Sequence, residues 1–307
     1  MKFEKALVTG GAGFIGSNLV EELLKHNVKV LVVDNLLTGK KSNIDKLNNV
    51  ETIYDDLGSD ASLRAIETFN PDVCFHLAAQ SSVVISVKDP LLDFEHNLLQ
   101  PIKLLQKLIH TDCKKFVFSS SGGTIFGEPN VIPTSEKDYA GEPASPYGVA
   151  KKKLNEFIML MLDNQKMSYS ILNLANVYGP RQDPHGEAGV MSIFTGKMLN
   201  NEIPIVYGDG NQTRDYIFVT DVVSALIKSS EMDDNLFLNI GTSKETSVNE
   251  LVSIIRSITL WEGEPDYKPQ REGELLRSVL NNEKAKKSLN WDCLLYTSPS
   301  PRDVEES

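Results

Sequence analysis

The sequence predicts an α/β protein with a doubly wound parallel sheet and a smaller C-terminal substrate-binding lobe. Short apolar runs alternate with helical patterns through the first half, and Gly/Pro-punctuated loops with short elements follow Gly179. A glycine-rich turn joins the first apolar run to the first helix. Such alternation is typical of βαβ units, which build parallel sheets covered by helices on both faces. We expect a first domain at 1–178, a second lobe mainly at 179–291, and a return of segments near 214–240 to the first domain.

The first half of the chain contains the elements of the predicted sheet. The apolar runs ALVTG, VKVLVVD, VCFHLAA and KKFVFSS predict strands, as does SYSILNLANVYGP, which we interpret as one buried strand. Helical patterns lie between them, from about Phe14 to Lys25, Ala61 to Phe69 and Leu91 to Ile109, and from SPYGVAK onward. Beyond Gly179 we expect two helices, from about Val219 to Ser230 and from Val248 to Ile258.

Composition limits the classes of partner. The 307 residues are 41% hydrophobic and carry a formal net charge of -11, which argues against a nonspecific nucleic-acid surface. No apolar run approaches the roughly 18 residues of a membrane span, and MKFEKALVTG lacks a signal-peptide pattern. Cys74, Cys113 and Cys293 are widely spaced, and no His/Cys cluster has metal-ligand spacing. We expect a cytoplasmic protein with reduced thiols, no metal, no nucleic-acid partner and no membrane partner.

The glycine-rich turn TGGAGFIGSNL predicts a dinucleotide site of the Rossmann type. Gly10, Gly13 and Gly16 lie between a strand and a helix, where a glycine backbone permits close approach of a pyrophosphate to the helix N-terminus. The next strand ends in Asp34, near the position where an acidic residue binds a ribose diol and repels a 2′-phosphate. The sequence therefore predicts NAD rather than NADP.

Small and acidic residues follow two further strands at the same edge of the predicted sheet. Asp56 and Leu57 follow a third strand, counted between VKVLVVD and the helix near Ala61 to Phe69. Ala78 and Ala79 are at the end of the fourth, VCFHLAA. The small side chains would let a cofactor lie against the backbone, or would serve close packing of helix on strand. His76, just before this edge, is better interpreted as a core histidine than as a ligand.

Tyr147 and Lys151 form a candidate acid-base pair. They are four residues apart in SPYGVAK, so a helix places both on one face. A nearby ammonium favours the phenolate, so we expect Lys151 to lower the pKa of Tyr147 toward a value useful for a general base. The same spacing also occurs between unrelated surface residues.

The chain as a whole resembles a known family. The ordered segments TGGAGFIGS, HLAAQSSV, FSSSGGTIFGEP, SPYGVAK, NVYGPRQ and GDGNQTRDYIFVTD resemble extended short-chain dehydrogenase/reductases, specifically the NAD-dependent UDP-glucose (UDP-galactose) 4-epimerases. The resemblance runs from Lys2 to about Trp291. It implies catalysis by Tyr147, Lys151 and Ser121, with Ser120 as the alternate serine. It also implies a homodimer formed through the helices near Leu91 to Ile109 and Pro146 to Leu162, unless their apolar stripes face only the core.

The motifs and the resemblance together give two sets of predicted contacts. The predicted cofactor contacts are Gly10, Gly13, Phe14, Ile15, Gly16, Asp34, Asn35, Asp56, Leu57, Ala78, Ala79, Asn97, Ser119, Tyr147 and Lys151. The predicted UDP-sugar contacts are Ser121, Tyr147, Asn176, Val190, Arg214, Tyr216, Arg271, Glu274 and Ser278. Arginine suits the diphosphate because its planar fork binds two phosphate oxygens at once.

Two departures from the family pattern affect the prediction. Ser278 stands where some members have a larger tyrosine, which predicts a pocket that admits N-acetylhexosamines as well as hexoses. From Asp292 the segment DCLLYTSPSPRDVEES lacks helical periodicity, so we expect residues 292–307 to form a tail that is disordered or foreign to the fold.

Three alternative functions remain at this point. A UDP-glucuronate decarboxylase or a nucleotide-sugar 4,6-dehydratase shares the tyrosine and lysine, although dehydratases place Asp-Glu where this chain has Gly122 and Gly123. A noncatalytic NAD-binding sensor belongs to a different class, and such proteins commonly lose the tyrosine or the lysine, whereas this chain has both.

Overall fold

One parallel sheet forms the centre of the computed structural model, which describes residues 1–139, 141–184, 189–270 and 275–293. Its strands are β1 (Lys5–Thr9), β2 (Lys29–Val33), β3 (Val50–Ile53), β4 (Val73–His76), β5 (Lys115–Ser121), β6 (Ser168–Leu174) and β11 (Leu236–Ile240). The order across the sheet is β11-β6-β5-β4-β1-β2-β3, with every neighbouring pair parallel. The order reverses between β1 and β4, and ligands of doubly wound folds bind at such a point.

Helices cover both faces of this sheet. They are α1 (Phe14–Lys25), α2 (Asp60–Phe69), α3 (Val83–Lys88), α4 (Pro90–Phe94), α5 (Gln100–Leu108), α6 (Pro146–Leu162), α8 (Val219–Ser230) and α10 (Glu283–Leu289). Side chains of α1, α8 and α10 pack on one face, and side chains of α2, α5 and α6 pack on the other. The strands supply both cores because alternate residues point to opposite faces, as Leu7 and Val8 do.

The described residues of the C-terminal lobe form two helices and three small sheets. The helices are α7 (Val190–Leu199) and α9 (Val248–Thr259). The strands are β7 (Asn176–Tyr178), β8 (Ile205–Tyr207), β9 (Thr213–Arg214), β10 (Tyr216–Phe218), β12 (Thr246–Ser247), β13 (Asp266–Lys268) and β14 (Arg277–Ser278). They pair as β7 with β10, β8 with β13, and β9 between β12 and β14. A separate core with Phe194, Leu251 and Trp261 stabilises this lobe.

Two predicted elements need correction, and several other elements were not predicted. The expected strand SYSILNLANVYGP divides at Ala175, because the Ala175 amide still pairs with the end of β11 whereas the Asn176 amide pairs with the Asp215 carbonyl. The expected helix from Leu91 to Ile109 consists of α4, a π-helical turn at Glu95–Leu99, and α5. Helices α3, α7 and α10 and strand β11 were not predicted.

The described chain ends in the core. The Trp291 indole donates a hydrogen bond to the Asp221 carbonyl (3.0 Å), and the Cys293 thiol donates to the Asp221 carboxylate (2.9 Å). Cys293 is 2% exposed and thus belongs to the core. Residues 294–307, the rest of the predicted tail, lie outside the described residues. Across the described ranges, no helix is both long enough and apolar enough to cross a membrane.

Candidate active site

A cavity of about 310 Å³ opens at the carboxyl ends of the central strands. Most predicted cofactor contacts line it: Gly10, Gly13, Phe14, Ile15, Gly16, Asp34, Asn35, Leu57, Ala78, Ala79 and Ser119. Sequence reasoning missed other lining residues, among them Thr38, Gln80, Ser81, His96, Val177 and Gln182. His96 lies on the π-helical turn, and Gln80, Ser81, Val177 and Gln182 lie within the quoted segments HLAAQSSV and NVYGPRQ, in which no contact was assigned to them.

Three predicted cofactor contacts have protein partners beside the cavity. Asp56 accepts a hydrogen bond from the Asn35 amide (2.8 Å), which places its carboxylate at the cavity edge. Asn97 bonds the backbone of Gln80 through both ends of its amide (2.8 and 3.0 Å). Lys151 donates to the carbonyl of Ser119 (3.1 Å), a residue that does line the cavity. These residues support the cavity wall.

The glycine turn fits a pyrophosphate. Gly10 has φ +70°, and a Cβ there would lie 2.7 Å from the Ala78 amide nitrogen. A Cβ on Gly16 would lie 2.1 Å from the Gly10 carbonyl oxygen, so the turn closes only with glycine at both positions. Gly13 is the N-cap of α1 and supplies no capping side chain. The helix N-terminus thus faces the cavity, where backbone N–H groups and the helix dipole favour a phosphate.

Asp34 is fixed at the end of β2. One carboxylate oxygen accepts the Ala12 amide (2.9 Å) and the other accepts the Leu36 amide (2.8 Å). The side chain is only 6% exposed and lines the cavity. An ordered anion at this position fits a ribose diol and disfavours a 2′-phosphate. The cavity therefore fits NAD.

Helix α6 positions Tyr147 and Lys151. The Ser145 hydroxyl accepts the Gly148 amide (3.2 Å), so the helix begins immediately before Tyr147. Tyr147 is 9% exposed and Lys151 is 3% exposed. The Tyr147 phenol lies near the Ser121 hydroxyl at the end of β5, and this hydroxyl lowers the pKa of the phenol. The structure therefore brings together the tyrosine, lysine and serine that the sequence analysis selected.

The ionisation of this pair differs from the expectation. Burial raises the pKa of Tyr147 to about 12, although the Ser121 hydrogen bond opposes this rise. Burial lowers the pKa of Lys151 to about 7, and the Asp93 carboxylate opposes this fall. The prediction that Lys151 lowers the pKa of Tyr147 is wrong, because burial of the phenol raises this pKa and is the largest of the effects on it. The ammonium lies 5.9 Å from the Tyr147 ring centroid and donates to a carbonyl.

The three serines of β5 have different surroundings. The Ser119 hydroxyl donates to the His76 carbonyl (3.3 Å). The Ser120 hydroxyl is buried and has no hydrogen-bond partner among the described residues. Of the three, Ser121 is the one whose hydroxyl affects the pKa of the Tyr147 phenol. This contrast favours Ser121 over the alternate Ser120.

His76 has the core role expected of it. Its ring stacks on Phe118 at 5.4 Å, and Nδ1 shares a 2.7 Å hydrogen bond with the Thr9 hydroxyl. Burial, with a smaller contribution from the Lys151 charge, lowers the pKa of His76 to about 3. The imidazole is therefore neutral at physiological pH.

A second cavity of about 330 Å³ lies in the C-terminal lobe. Four predicted substrate contacts line it: Asn176, Val190, Arg214 and Tyr216. Lining residues that the sequence analysis missed are Ile193, Phe194, Lys197, Ile205, Val206, Tyr207, Gln212 and Val248. Three of them lie on the unpredicted helix α7. The predicted contacts Arg271 and Glu274 lie outside the described residues.

The two cavities share the short strand β7. The loop that follows Ser121, called the serine loop, lies beside this strand. On β7, Asn176 lines the second cavity and its neighbour Val177 lines the first, because consecutive strand residues point to opposite sides. A Cβ on Gly123 would lie 3.8 Å from both the Asn176 amide oxygen and the Ser278 hydroxyl. Ser278 therefore lies beside the loop that follows Ser121.

Comparison with known proteins assigns the family. The sequence profile of the NAD dependent epimerase/dehydratase family matches residues 6–241, most of the chain. The chain belongs to this family. It is 45% identical over 288 residues to a putative UDP-glucose 4-epimerase of Methanocaldococcus jannaschii, covering 93% of this chain and 92% of the relative.

Solved structures agree with this assignment. The fold matches the UDP-glucose 4-epimerase of Thermotoga maritima with UDP-glucose at a TM-score of 0.94 and 42% identity, covering 98% of each chain. It matches the Thermus thermophilus UDP-glucose 4-epimerase complex with NAD at a TM-score of 0.91 and 36% identity, again covering 98% of each chain. The predictions of the Rossmann fold, of an epimerase-family enzyme and of NAD as cofactor are confirmed. In the described ranges, no cluster of three His, Cys, Asp or Glu side chains could hold a metal.

Proposed function

We propose that the protein is an NAD-dependent isomerase that inverts C4 of a UDP-hexose, with UDP-glucose and UDP-galactose as the primary pair. The observation that carries the proposal is the proximity of Tyr147 to Ser121, which lies between Ser119 of the cofactor cavity and Gly123, a neighbour of Asn176 of the second cavity. In this arrangement NAD occupies the first cavity and the nucleotide of the substrate occupies the second. The relatives that are UDP-glucose 4-epimerases support the choice of sugar.

The proposed chemistry assigns one task to each side chain. Tyr147 must first lose its own proton, which a pKa of about 12 disfavours in the protein chain. The phenolate then accepts the proton of the sugar 4-hydroxyl, and the Ser121 hydroxyl holds the same oxygen through a hydrogen bond. NAD, held by the residues that line the first cavity, would supply hydride transfer at C4 of the sugar in both directions. Lys151 donates to the Ser119 carbonyl, and in its protonated form it places a cation next to the pair. The proton returns from Tyr147 to the oxygen, so the reaction has no net redox change.

The second cavity has the character expected of a nucleotide site. Arg214 and Lys197 provide cationic groups in a protein whose net charge is negative. Tyr207, Phe194 and Val190 provide apolar and aromatic surface suited to a base. We assign the diphosphate to Arg214, with Asn176 next to the sugar end. Arg271 and Glu274 remain predicted contacts to the diphosphate and the ribose.

The loop after Ser121 argues against a 4,6-dehydratase. A dehydratase needs acid-base side chains directly after this position, and this chain has Gly122 and Gly123. A Cβ on Gly122 would lie 2.4 Å from Leu280 Cδ1 and 3.1 Å from the Leu174 carbonyl oxygen, so a carboxylate side chain would not fit there without rearrangement. Epimerisation needs only the tyrosine, the serine and the hydride carrier.

Proton NMR of C4 epimers tests the proposed function. The purified protein would be incubated separately with UDP-glucose and UDP-N-acetylglucosamine, without added nucleotide. An equilibrium mixture of epimers is the expected result, and conversion of UDP-galactose would place the enzyme in galactose metabolism. If both sugars remain unchanged, the assay would be repeated with added NAD and with UDP-glucuronate. Release of carbon dioxide from UDP-glucuronate would favour the decarboxylase, and continued absence of reaction would favour a noncatalytic NAD binder.

Tyr147→Phe tests the proton-transfer role. Removal of the phenolic oxygen leaves the ring in place, so we expect a loss of turnover of about 10²-fold or more with the fold and NAD content retained. Tyr169→Phe is the matched control, because Tyr169 lies at the amino end of β6 away from the cavities. Turnover of Tyr147→Phe near that of the wild type would contradict the assignment.

Ser278→Tyr tests the width of the sugar pocket. Because Ser278 lies beside the serine loop, a phenol there would occupy space near the sugar. We expect the variant to lose turnover of UDP-N-acetylglucosamine by about tenfold or more while retaining that of UDP-glucose, since steric exclusion affects the larger sugar first. Ser278→Thr is the conservative control. Equal effects on the two sugars would contradict a role in selecting the substrate.

We also propose that the protein is a cytoplasmic homodimer. Cys74 and Cys113 are buried thiols, which suits a reducing compartment. An apolar helix face, defined here as the exposed side chains of α3, α4, the π-helical turn and α6, supports association with a second copy. Its members are Val83, Val84, Ile85, Val87, Leu91, Leu92, Leu99, Phe157 and Leu160. Leu91 is 83% exposed and Leu160 is 75% exposed, so these stripes do not face only the core.

A further inference from the structure

Asp215 is a buried carboxylate between two strands that carry predicted substrate contacts. It stands between Arg214 at the end of β9 and Tyr216 at the start of β10, and only 1% of its surface is exposed. We propose that Asp215 is a positioning residue that fixes the wall of the substrate cavity and thereby sets the affinity for the UDP-sugar. The inference rests on the proposed function for the identity of that ligand.

The backbone of Asp215 links two other strands of the wall. Its amide donates to the Ser278 carbonyl (3.1 Å), and its carbonyl accepts the Asn176 amide (2.9 Å). In the same region, Tyr216 pairs with Asn176, and Ser278 pairs with Arg214. Of the four predicted substrate contacts on these strands, Arg214 and Tyr216 are adjacent to Asp215 in sequence. Asn176 and Ser278 hydrogen bond to its backbone.

The side chain of Asp215 holds two further segments. One carboxylate oxygen accepts the amide (2.8 Å) and the hydroxyl (2.6 Å) of Thr242. The other accepts the amides of Ser243 (3.2 Å) and Leu280 (3.3 Å). Leu280 comes two residues after Ser278, so the carboxylate connects the loop after β11 with the segment that follows β14.

The chemistry of this contact requires a carboxylate. All four donors are uncharged, and each oxygen receives two of them, which an ionised carboxylate allows and an amide does not. Burial raises the pKa of Asp215, and the hydrogen bonds from Thr242, Leu280 and Ser243 oppose that rise. A Cβ on Gly241 would lie only 2.3 Å from one oxygen, so the neighbouring loop is also fitted to the carboxylate.

Asp215→Asn tests the proposal in the NAD-loaded enzyme. The amide NH₂ would face two hydrogen-bond donors, so the segments around it would separate and the substrate contacts would lose their alignment. We expect KM for UDP-glucose and the dissociation constant of UDP, measured by calorimetry, to rise about tenfold, the cost of about one buried hydrogen bond. We expect kcat to change less than about threefold and NAD content to be unchanged, because Asp215 does not line the cofactor cavity.

Asp72→Asn is the matched control. The Asp72 carboxylate also accepts two backbone amides, of Glu4 (2.9 Å) and Lys5 (2.8 Å), but it lies at the amino end of the sheet. We expect it to lower the melting temperature without changing KM or UDP affinity. If Asp215→Asn changes UDP affinity no more than Asp72→Asn does, or lowers kcat and NAD content as much as it raises KM, the positioning role is overturned.

Thr242→Val keeps the test decisive if Asp215→Asn does not fold. It removes one hydroxyl donor and leaves the Thr242 amide, so a smaller rise in KM and in the UDP dissociation constant, about threefold, is expected. Unchanged UDP affinity in that variant would overturn the proposal. Calorimetry with UDP also separates the proposed reaction from the proposed role of Asp215. A wild type that binds UDP without epimerising either sugar refutes the proposed reaction. The UDP affinities of the variants would still test the role of Asp215.

Discussion

At the residue scale, neighbouring side chains of one strand have different roles. Ser120 and Ser121 are adjacent in sequence, yet the structure directs only Ser121 to the phenol of Tyr147. We therefore expect Ser121→Ala to lower kcat by about 10- to 100-fold, through loss of the hydrogen bond to the reacting oxygen. Ser120→Ala, the matched control on the same strand, is expected to retain kcat. Initial rates with UDP-glucose check both, and the reverse ranking would move the catalytic role to Ser120.

The residues of the candidate site could be predicted, but their ionisation could not. A helix places Tyr147 and Lys151 on one face, and a strand-turn-helix context gives the glycines and Asp34 their positions. A pKa depends instead on how deeply the group is buried and on which neighbours reach it. Burial comes from contacts across the fold, such as that of Lys151 with the Ser119 carbonyl. Spacing in the sequence contains no information on those contacts.

At the scale of secondary-structure elements, one carboxylate connects several strands of the C-terminal lobe. Glu245, just before β12, accepts hydrogen bonds from Arg277 of β14 (2.6 and 2.7 Å) and from the Thr213 hydroxyl of β9 (2.7 Å). The Arg277 and Thr213 hydrogen bonds lower the pKa of Glu245 to about 2, from an ordinary value of 4.5. The folded pKa is lower than the unfolded one, so the stabilisation is present above about pH 4.5 and is lost as pH falls from 4.5 toward 2.

Glu245→Gln tests this pH dependence. Because the pair is partly exposed, we expect the variant to lose at most about 1 kcal/mol of unfolding free energy at pH 7. The difference from the wild type should stay constant down to about pH 5 and shrink between pH 4.5 and 3, as urea denaturation would measure. Glu51→Gln, at an exposed position on β3, controls for removal of a negative charge. A difference that grows on acidification would contradict the assigned linkage.

The accuracy of the predicted elements follows from their size. Strands β1, β2, β4, β5 and β6 and helices α1, α2 and α8 have repeated apolar patterns, and the structure places them close to the predicted positions. Strands β9, β12 and β14 have only two residues each, so distant partners rather than local periodicity define them. Helix α7 was missed because its apolar residues do not follow one face, and with it several residues of the second cavity.

At the scale of the whole molecule, sheet topology explains why separate motifs form one site. Parallel strands bring their carboxyl ends to one edge, so the residues after β1, β2 and β4 meet Ser119 near the end of β5 although they are far apart in sequence. Hydrophobic periodicity predicts such an edge. It did not predict the residues that line the second cavity, and four of them were predicted from the resemblance to epimerases. The apolar helix face is a further property of the whole molecule, because it combines α3, α4 and α6, which pack against one another.

Leu160→Glu tests whether this face joins two copies. Leu160 is 75% exposed on α6, and a charge buried in an apolar interface is strongly unfavourable. We expect sedimentation at micromolar concentration to show a dimer for the wild type and a monomer for the variant, with the secondary structure unchanged. Leu260→Glu, at an 82% exposed leucine just after α9, is the matched control and should remain dimeric. Because two-fold symmetry places the same patch on both partners, one substitution introduces two charges into the interface. A wild-type monomer, or a Leu160→Glu dimer as stable as the wild type, would show that this face does not join two copies.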